Sequence, residues 1–200
     1  GVIACQTVQV CGARGEKALG DRSLRLVEFR APDGARVRLL TNSLASTDVL
    51  PVHAGYAKRR HELLAAGVEL YEFQADAHRR VGERKYFRRM KSGSSLHSKV
   101  MVIDRELTWV GSFNIDPRSA LLNTELAVVV HCPSLAAATA QMIEADLAPD
   151  RAWRLSLEPP GRRTGRLYWT GEHDGKLTRV DGEPGATRLQ RFLAGLIRWL

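Results

Sequence analysis

The chain has 200 residues, 44% apolar and 26% charged, the balance of one globular domain large enough to bury a core. Thirty Lys and Arg against 22 Asp and Glu give a formal charge of +8. This favours an anionic partner, lipid headgroup or nucleic acid, without separating the two. No run of 18 apolar residues is present, so no membrane-crossing helix is expected; Cys5, Cys11 and Cys132 lack CxxC spacing, which argues against a disulfide framework or zinc site and for a reducing compartment.

Residues 1–35 have a short apolar start, then scattered charge and glycine without a sustained period, and little structure is expected of them. Residues 36–40 read as a strand, ended by the turn and cap residues Thr41, Asn42 and Ser43. Loops at strand C-terminal ends of α/β sheets collect ligands, so this loop either lines a site or caps a helix. A helix is predicted over 52–66, with Tyr56, Leu63 and Leu64 on an apolar face, Lys58, Arg59 and Arg60 on a wet one, and Gly67 as the stop. A strand at 68–73 completes a β-α-β unit with parallel strands. The connection 74–95 then carries Arg79, Arg80, Arg84, Lys85, Arg88, Arg89 and Lys91 against Glu83, with Tyr86 and Phe87 among them. Such a segment can hold a nucleic-acid backbone, meet a lipid surface or remain a solvated loop.

The stretch 96–116 carries the chemistry. Residues 96–103 alternate and are rich in Val and Ile, as a strand. Side chains two apart on a strand share a face, so His97 and Lys99 are expected to point the same way. An imidazole with an ordinary pKa of ~6.5 can act as nucleophile or proton donor near neutral pH, and a lysine beside it offers charge to an anion such as phosphate. Asp104 lies at an odd offset from His97 and is not expected to touch it. A second short strand at 108–110 leads to Gly111, Ser112 and Asn114; the glycine would let backbone approach a ligand, and Ser112 and Asn114 add neutral donors. Six fixed positions in this spacing arise by chance at about 10⁻⁵ in a chain of this length. Glu125 opens an apolar strand at 125–130 and needs a partner there; His97, which it would orient, is the natural one, and a nearby Arg the plainer one.

Beyond the motif, Asp116 to Ser119 reads as a capped turn and 134–147 as an Ala-rich helix packing on the sheet. Residues 153–157, 166–170 and 176–180 alternate like short strands. In 186–200, Leu189, Phe192, Leu193, Leu196, Ile197 and Leu200 fall at helical spacing, with Arg188, Arg191, Arg198 and Trp199. This is the composition of a helix lying on an anionic membrane, or of a core helix docked on the sheet.

The HxK, D and GSxN spacing resembles the HKD signature of the phospholipase D superfamily, and the flanks TNSLASTDVLPVHAGYAKRRHELLAAGVELYEF and EPGATRLQRFLAGLIRWL look like the C-terminal half of bacterial cardiolipin synthases of that type. The resemblance implies an α/β fold: a mixed, largely parallel sheet flanked by helices, with a poorly defined segment 1–35, a catalytic half-domain 36–150 and a C-terminal strand-plus-helix appendage 151–200. It implies a phosphohistidine mechanism with no cofactor or metal. In it His97 attacks phosphorus or protonates the leaving alcohol, Lys99, Ser112 and Asn114 hold the phosphate, Glu125 orients the histidine, and Asp104 is structural. It further implies a phospholipid substrate and peripheral contact with the cytoplasmic face of a bacterial inner membrane. A second HKD half is implied too, from upstream chain or a two-fold dimer, since this sequence carries one HxKxxxxD. The rival readings are a phosphodiesterase on DNA or RNA, and an inactive half that only binds membrane or partner.

Overall fold

The computed structural model describes residues 3–11, 36–77, 96–112, 124–173 and 175–199. In chain order the elements are β1 Ile3–Cys11, β2 Arg36–Asn42, α1 Leu50–Ala57, α2 Arg60–Ala65, β3 Glu69–Phe73, β4 Ser98–Ile103, β5 Leu107–Gly111, β6 Ala127–His131, α3 Pro133–Asp146, β7 Ala152–Glu158, β8 Arg166–His173, β9 Lys176–Val180 and α4 Arg188–Trp199. The strands form one nine-stranded sheet in the order β6-β5-β4-β1-β2-β3-β7-β8-β9.

The fold is α/β with a mixed sheet, as the sequence predicts. Its parallel part is narrower than expected: β1 runs parallel to β4 and β2 to β3, while the other described ladders are antiparallel. The β2-α1-α2-β3 crossover supplies the predicted β-α-β unit. Two further expectations are corrected. Residues 3–11, read as having little structure, form β1 between β4 and β2 near the middle of the sheet. Isolated periodicity missed it because its place is fixed by partners remote in sequence. The strands expected in a separate appendage instead extend the same sheet, β7 pairing with β3 at Glu72↔Trp153.

Helices cover both faces. Adjacent strand residues point to opposite sides, and Leu39 belongs to a core cluster with Tyr56 and Leu63 of the crossover helices, whereas Leu40 packs with Tyr71, Phe73 and Leu96. Leu147, just past α3, joins that second cluster to Val100, Val102, Ala136, Ala140 and Ile143. The predicted single helix 52–66 breaks at Lys58 and Arg59 into α1 and α2. The break changes the helical phase, and Arg60, expected on the wet face, is 2% exposed.

α4 opens with a capping box, in which the Thr187 hydroxyl accepts from Gln190 N at 3.2 Å and Gln190 Oε1 accepts from Thr187 N at 2.9 Å. Its apolar stripe divides. Ala194 is fully buried where the helix meets α1, while Leu189, Phe192 and Leu196 are exposed. The side chains of Arg198 and Trp199 lie outside the described set. Among the described residues no helix is long and apolar enough to cross a membrane.

Candidate active site

β4 and β5 form a hairpin, and its two ends have different tasks. At the closed end Glu106 N donates to Ile103 O at 3.0 Å, and Asp104 and Arg105 both take positive φ, 52° and 57°. The two positive φ values make a left-handed β-turn, for which Asp is among the favoured residues, within the three-residue loop between the paired Ile103 and Leu107. Asp104 therefore sits in the turn, seven extended residues or ~23 Å from His97. The sequence placed it away from the imidazole on grounds of strand parity; the geometry does so by distance as well.

The open end gathers the polar residues. Lys99 pairs with Gly111 across the hairpin, and Gly111 with Ala127 across β5 and β6. His97 stands exposed just ahead of β4. Lys99 is buried, and its Nζ donates to the His97 carbonyl at 3.2 Å. A buried ammonium bonded, among the described residues, to one neutral carbonyl has donor capacity left for an anion.

Gly111 has a different reason from the one expected. A Cβ there would stand 2.7 Å from the Leu126 carbonyl and 2.8 Å from the Ala127 Cβ. The missing side chain thus admits the start of β6. That closeness brings Glu125 to Ser112: the Ser112 hydroxyl donates to Glu125 Oε2 at 2.5 Å and accepts from Leu126 N at 3.0 Å, while Ser112 N donates to Leu126 O at 2.9 Å. The sequence did not reveal the Ser112–Glu125 bond, because the two lie 13 residues apart and only strand pairing joins them. Asn114 and the basic segment 79–91 lie outside the described residues.

A further residue belongs to this end of the sheet. Asn42, the last residue of β2, is buried, and its side-chain amide bonds Leu96 twice: Leu96 N donates to Oδ1 at 2.8 Å, and Nδ2 donates to Leu96 O at 2.9 Å. The sequence left Thr41-Asn42-Ser43 between lining a site and capping a helix; the buried amide instead holds the residue next to His97. The Asn42 carbonyl in turn accepts from His53 Nδ1 at 3.2 Å. His53 Nε2 accepts from Arg60 Nη2 at 3.1 Å, which fixes the imidazole as the neutral Nδ1–H tautomer.

Arg60 is the hub of a buried charged group. It reaches Glu183 through two bonds of 2.5 and 3.1 Å and Glu72 at 2.7 Å, and lies over the Tyr56 and Trp169 rings at 5.3 and 5.2 Å. Tyr56 OH and Trp169 Nε1 donate to the Glu72 carboxylate at 3.1 and 2.9 Å. Burial, and then Glu183, push the Glu72 carboxyl up to about 7, against the pull of Arg60 and these bonds. Burial alone would lower the Arg60 pKa, but Glu72, Tyr56 and Glu183 outweigh it and hold the guanidinium charged. Among the described residues no three His, Cys, Asp or Glu side chains gather as metal ligands.

The family described as "Cardiolipin synthase, PLD-like domain" matches residues 21–147. The chain is 38% identical over 175 residues to cardiolipin synthase C of Escherichia coli K12, covering 84% of this chain and 35% of that protein. It is 38% identical over 174 residues to an uncharacterized protein of Helicobacter pylori 26695, covering 87% and 32%. Cardiolipin synthase A of Pseudomonas fluorescens Pf-5 is 35% identical over 121 residues, covering 60% and 23%. The chain thus spans about a third of the length of the first two relatives. No solved structure matches it.

Proposed function

The chain belongs to the family of cardiolipin synthase, PLD-like domains, and from that membership we propose that it forms one half of an enzyme that moves a phosphatidyl group between phospholipids through a phosphohistidine intermediate. His97 either attacks phosphorus, releasing the alcohol (glycerol when phosphatidylglycerol is the donor), or protonates that leaving alcohol. Lys99 and Asn114 hold the phosphoryl oxygens and offset the charge of the pentacoordinate transition state. Ser112 is a further donor once a substrate draws its hydroxyl from Glu125. Glu125 orients the imidazole from the far side of the hairpin. No metal or cofactor takes part.

The observation that carries this reading is the gathering at one end of the sheet: exposed His97, Lys99 bonded to the His97 carbonyl, and the Ser112–Glu125 pair at the open end of the same hairpin, where Gly111 admits β6. A second HKD half completes the site, because an in-line displacement needs a nucleophile on one side of phosphorus and an acid on the other. Its seat is the exposed apolar edge next to Glu125, where Leu126, Val128, Val129 and Val110 are 46–76% exposed. The half comes from a longer chain or from a second copy across a two-fold axis.

Peripheral contact with an anionic membrane surface, on the cytoplasmic face, runs through α4. Its outward Leu189, Phe192 and Leu196 are exposed beside Arg188 and Arg191. The test offers the protein, assembled with its second half, phosphatidylglycerol vesicles and, separately, a labelled oligonucleotide. Lipid-linked release of glycerol supports the proposal. Cleavage of the oligonucleotide alone replaces it with a nuclease, and binding without turnover reduces the chain to a membrane- or partner-binding half.

A further inference from the structure

We infer that Asn42 is a positioning residue for His97, itself held by a buried relay from Glu183 through Arg60 and His53. The inference rests on the reading of His97 as the reacting group. A peptide bond is planar, so a hydrogen bond to its oxygen restrains the whole unit. The Leu96 carbonyl lies in the plane that ends on the His97 nitrogen, and Asn42 Nδ2 holds that oxygen at 2.9 Å while Oδ1 takes the Leu96 amide at 2.8 Å. The His97 carbonyl lies in the next plane, and Lys99 Nζ holds it at 3.2 Å. Both planes flanking the His97 α-carbon are therefore restrained, which narrows its φ and ψ and the direction in which the imidazole leaves the backbone.

The sheet alone does not provide this. The β1–β4 ladder begins at Ser98, and its register shifts between Ile3 and Gln6, opposite Ser98 and Lys99. Leu96 lies beyond the ladder, and β1 stands between β2 and β4 in the strand order. Asn42 nonetheless reaches Leu96 with both ends of its amide, serving as a partner strand would.

Asn42 is held in turn. Its carbonyl accepts from His53, its Oδ1 accepts from Ser46 Oγ at 3.3 Å, and His53 is tied through Arg60 to Glu183. Glu183 belongs to the segment leading into α4, whose Arg191 Nη2 donates to the Glu183 carbonyl at 2.8 Å and whose Gln190 Nε2 donates to Leu44 O at 3.4 Å. Buried ion pairs seldom raise stability over apolar packing, and a role in specifying one arrangement is their better-attested use. Here that arrangement is the angle at which the β2 end meets Leu96.

The test compares Asn42→Ala, Asn42→Asp and Glu183→Gln with Ile143→Val, a core control in α3, in the chain assembled with its second half and offered phosphatidylglycerol vesicles. Misplacing a reacting group by about 1 Å can cost on the order of 10²-fold in rate. The expected result is a fall in kcat of about that size for Asn42→Ala, with KM within about twofold of native, and a smaller fall for Glu183→Gln. Asn42→Asp keeps the acceptor for Leu96 N but turns an oxygen toward Leu96 O, so it should resemble Asn42→Ala; it decides the matter by the same readings if Asn42→Ala does not fold. The imidazole ¹⁵N resonances of His97, assigned by their loss in His97→Asn, should move in all three variants and stay in place in Ile143→Val. Native kcat in a folded Asn42 variant, or unmoved His97 resonances, overturns the inference. Native turnover in His97→Asn instead overturns the reading of the site, and the resonances still judge the positioning on their own.

Discussion

Replacing Arg60 with Met keeps an unbranched chain in place but removes the charge at the centre of the buried group. Arg60 and Glu72 are 2% and 0% exposed, so no water replaces the guanidinium. The Glu72 carboxylate would keep only Tyr56 and Trp169 as bonding partners. With Arg60 present its pKa already stands at about 7; without it the pKa rises further, and the buried carboxyl is native as the acid. A carboxyl near 7 is already half protonated in the native chain at pH 7, so the further rise costs less than about 1 kcal/mol there and more as pH climbs. Two cation–π contacts add ~1 kcal/mol or more between them. With Glu183 also losing its bonds to Arg60, the expected loss is about 2–3 kcal/mol near neutral pH, a sizeable share of a domain's ~5–15 kcal/mol.

The sign follows from the raised pKa. Stability contributed by a raised carboxyl is fully present below the unfolded value and is lost as pH rises through the folded one. At pH 5.5 native chain and variant both carry protonated Glu72, so the cost there is limited to lost packing and to Glu183. At pH 8.5 it should be larger. Urea unfolding at the two pH values, followed by tryptophan fluorescence since Trp169 lies in the group, reads this difference. A cost below about 1 kcal/mol at pH 8.5, or one equal at both pH values, would refute the account of a buried carboxylate stabilised by Arg60.

Gly111→Ala should cost roughly 1–3 kcal/mol and depress turnover further than that loss of stability explains, because a Cβ 2.7 Å from the Leu126 carbonyl drives the start of β6, and Glu125 with it, away from Ser112; thermal melts and steady-state kinetics check it together. Changing Leu189, Phe192 and Leu196 together to Ser should abolish co-pelleting with phosphatidylglycerol vesicles while shifting stability by under ~1 kcal/mol, since all three are exposed; Ala194→Leu, at a fully buried position, should do the reverse. EDTA should leave turnover intact, and inhibition reversed by a divalent ion would contradict the metal-free mechanism.

The sequence was most legible where local spacing and local structure coincide. HxK at the start of one strand, Gly111 and Ser112 at the end of a second and the intervening Asp104 all fall on one hairpin, so their positions followed from counting. The amphipathic α4 and a β-α-β unit with parallel strands were equally visible. What escaped depends on partners far away in the chain. β1 earns its central place only from β2 and β4, and β7 to β9 join the main sheet only through the Glu72↔Trp153 ladder. Arg60 looked like one more surface cation beside Lys58 and Arg59. Its burial follows from a helix break at those residues and from Glu72 and Glu183, 12 and 123 positions away, neither of which a helical projection contains. Asn42 gave the one usable hint, an amide at the end of a buried strand, but its partner Leu96 lies 54 residues on. Similarly, Gly111 signalled a close approach, read as that of a ligand, where the neighbour is the Leu126–Ala127 backbone.

The central claim is that His97 does the chemistry. It is tested most directly by measuring phosphatidylglycerol turnover in anionic vesicles for the native chain, assembled with its second half, and for His97→Asn. Because His97 is exposed and outside the core clusters, the variant should fold and melt as the native protein does. The account predicts a loss of several orders of magnitude in kcat with that fold intact. A His97→Asn protein that turns over at a tenth of the native rate would contradict it.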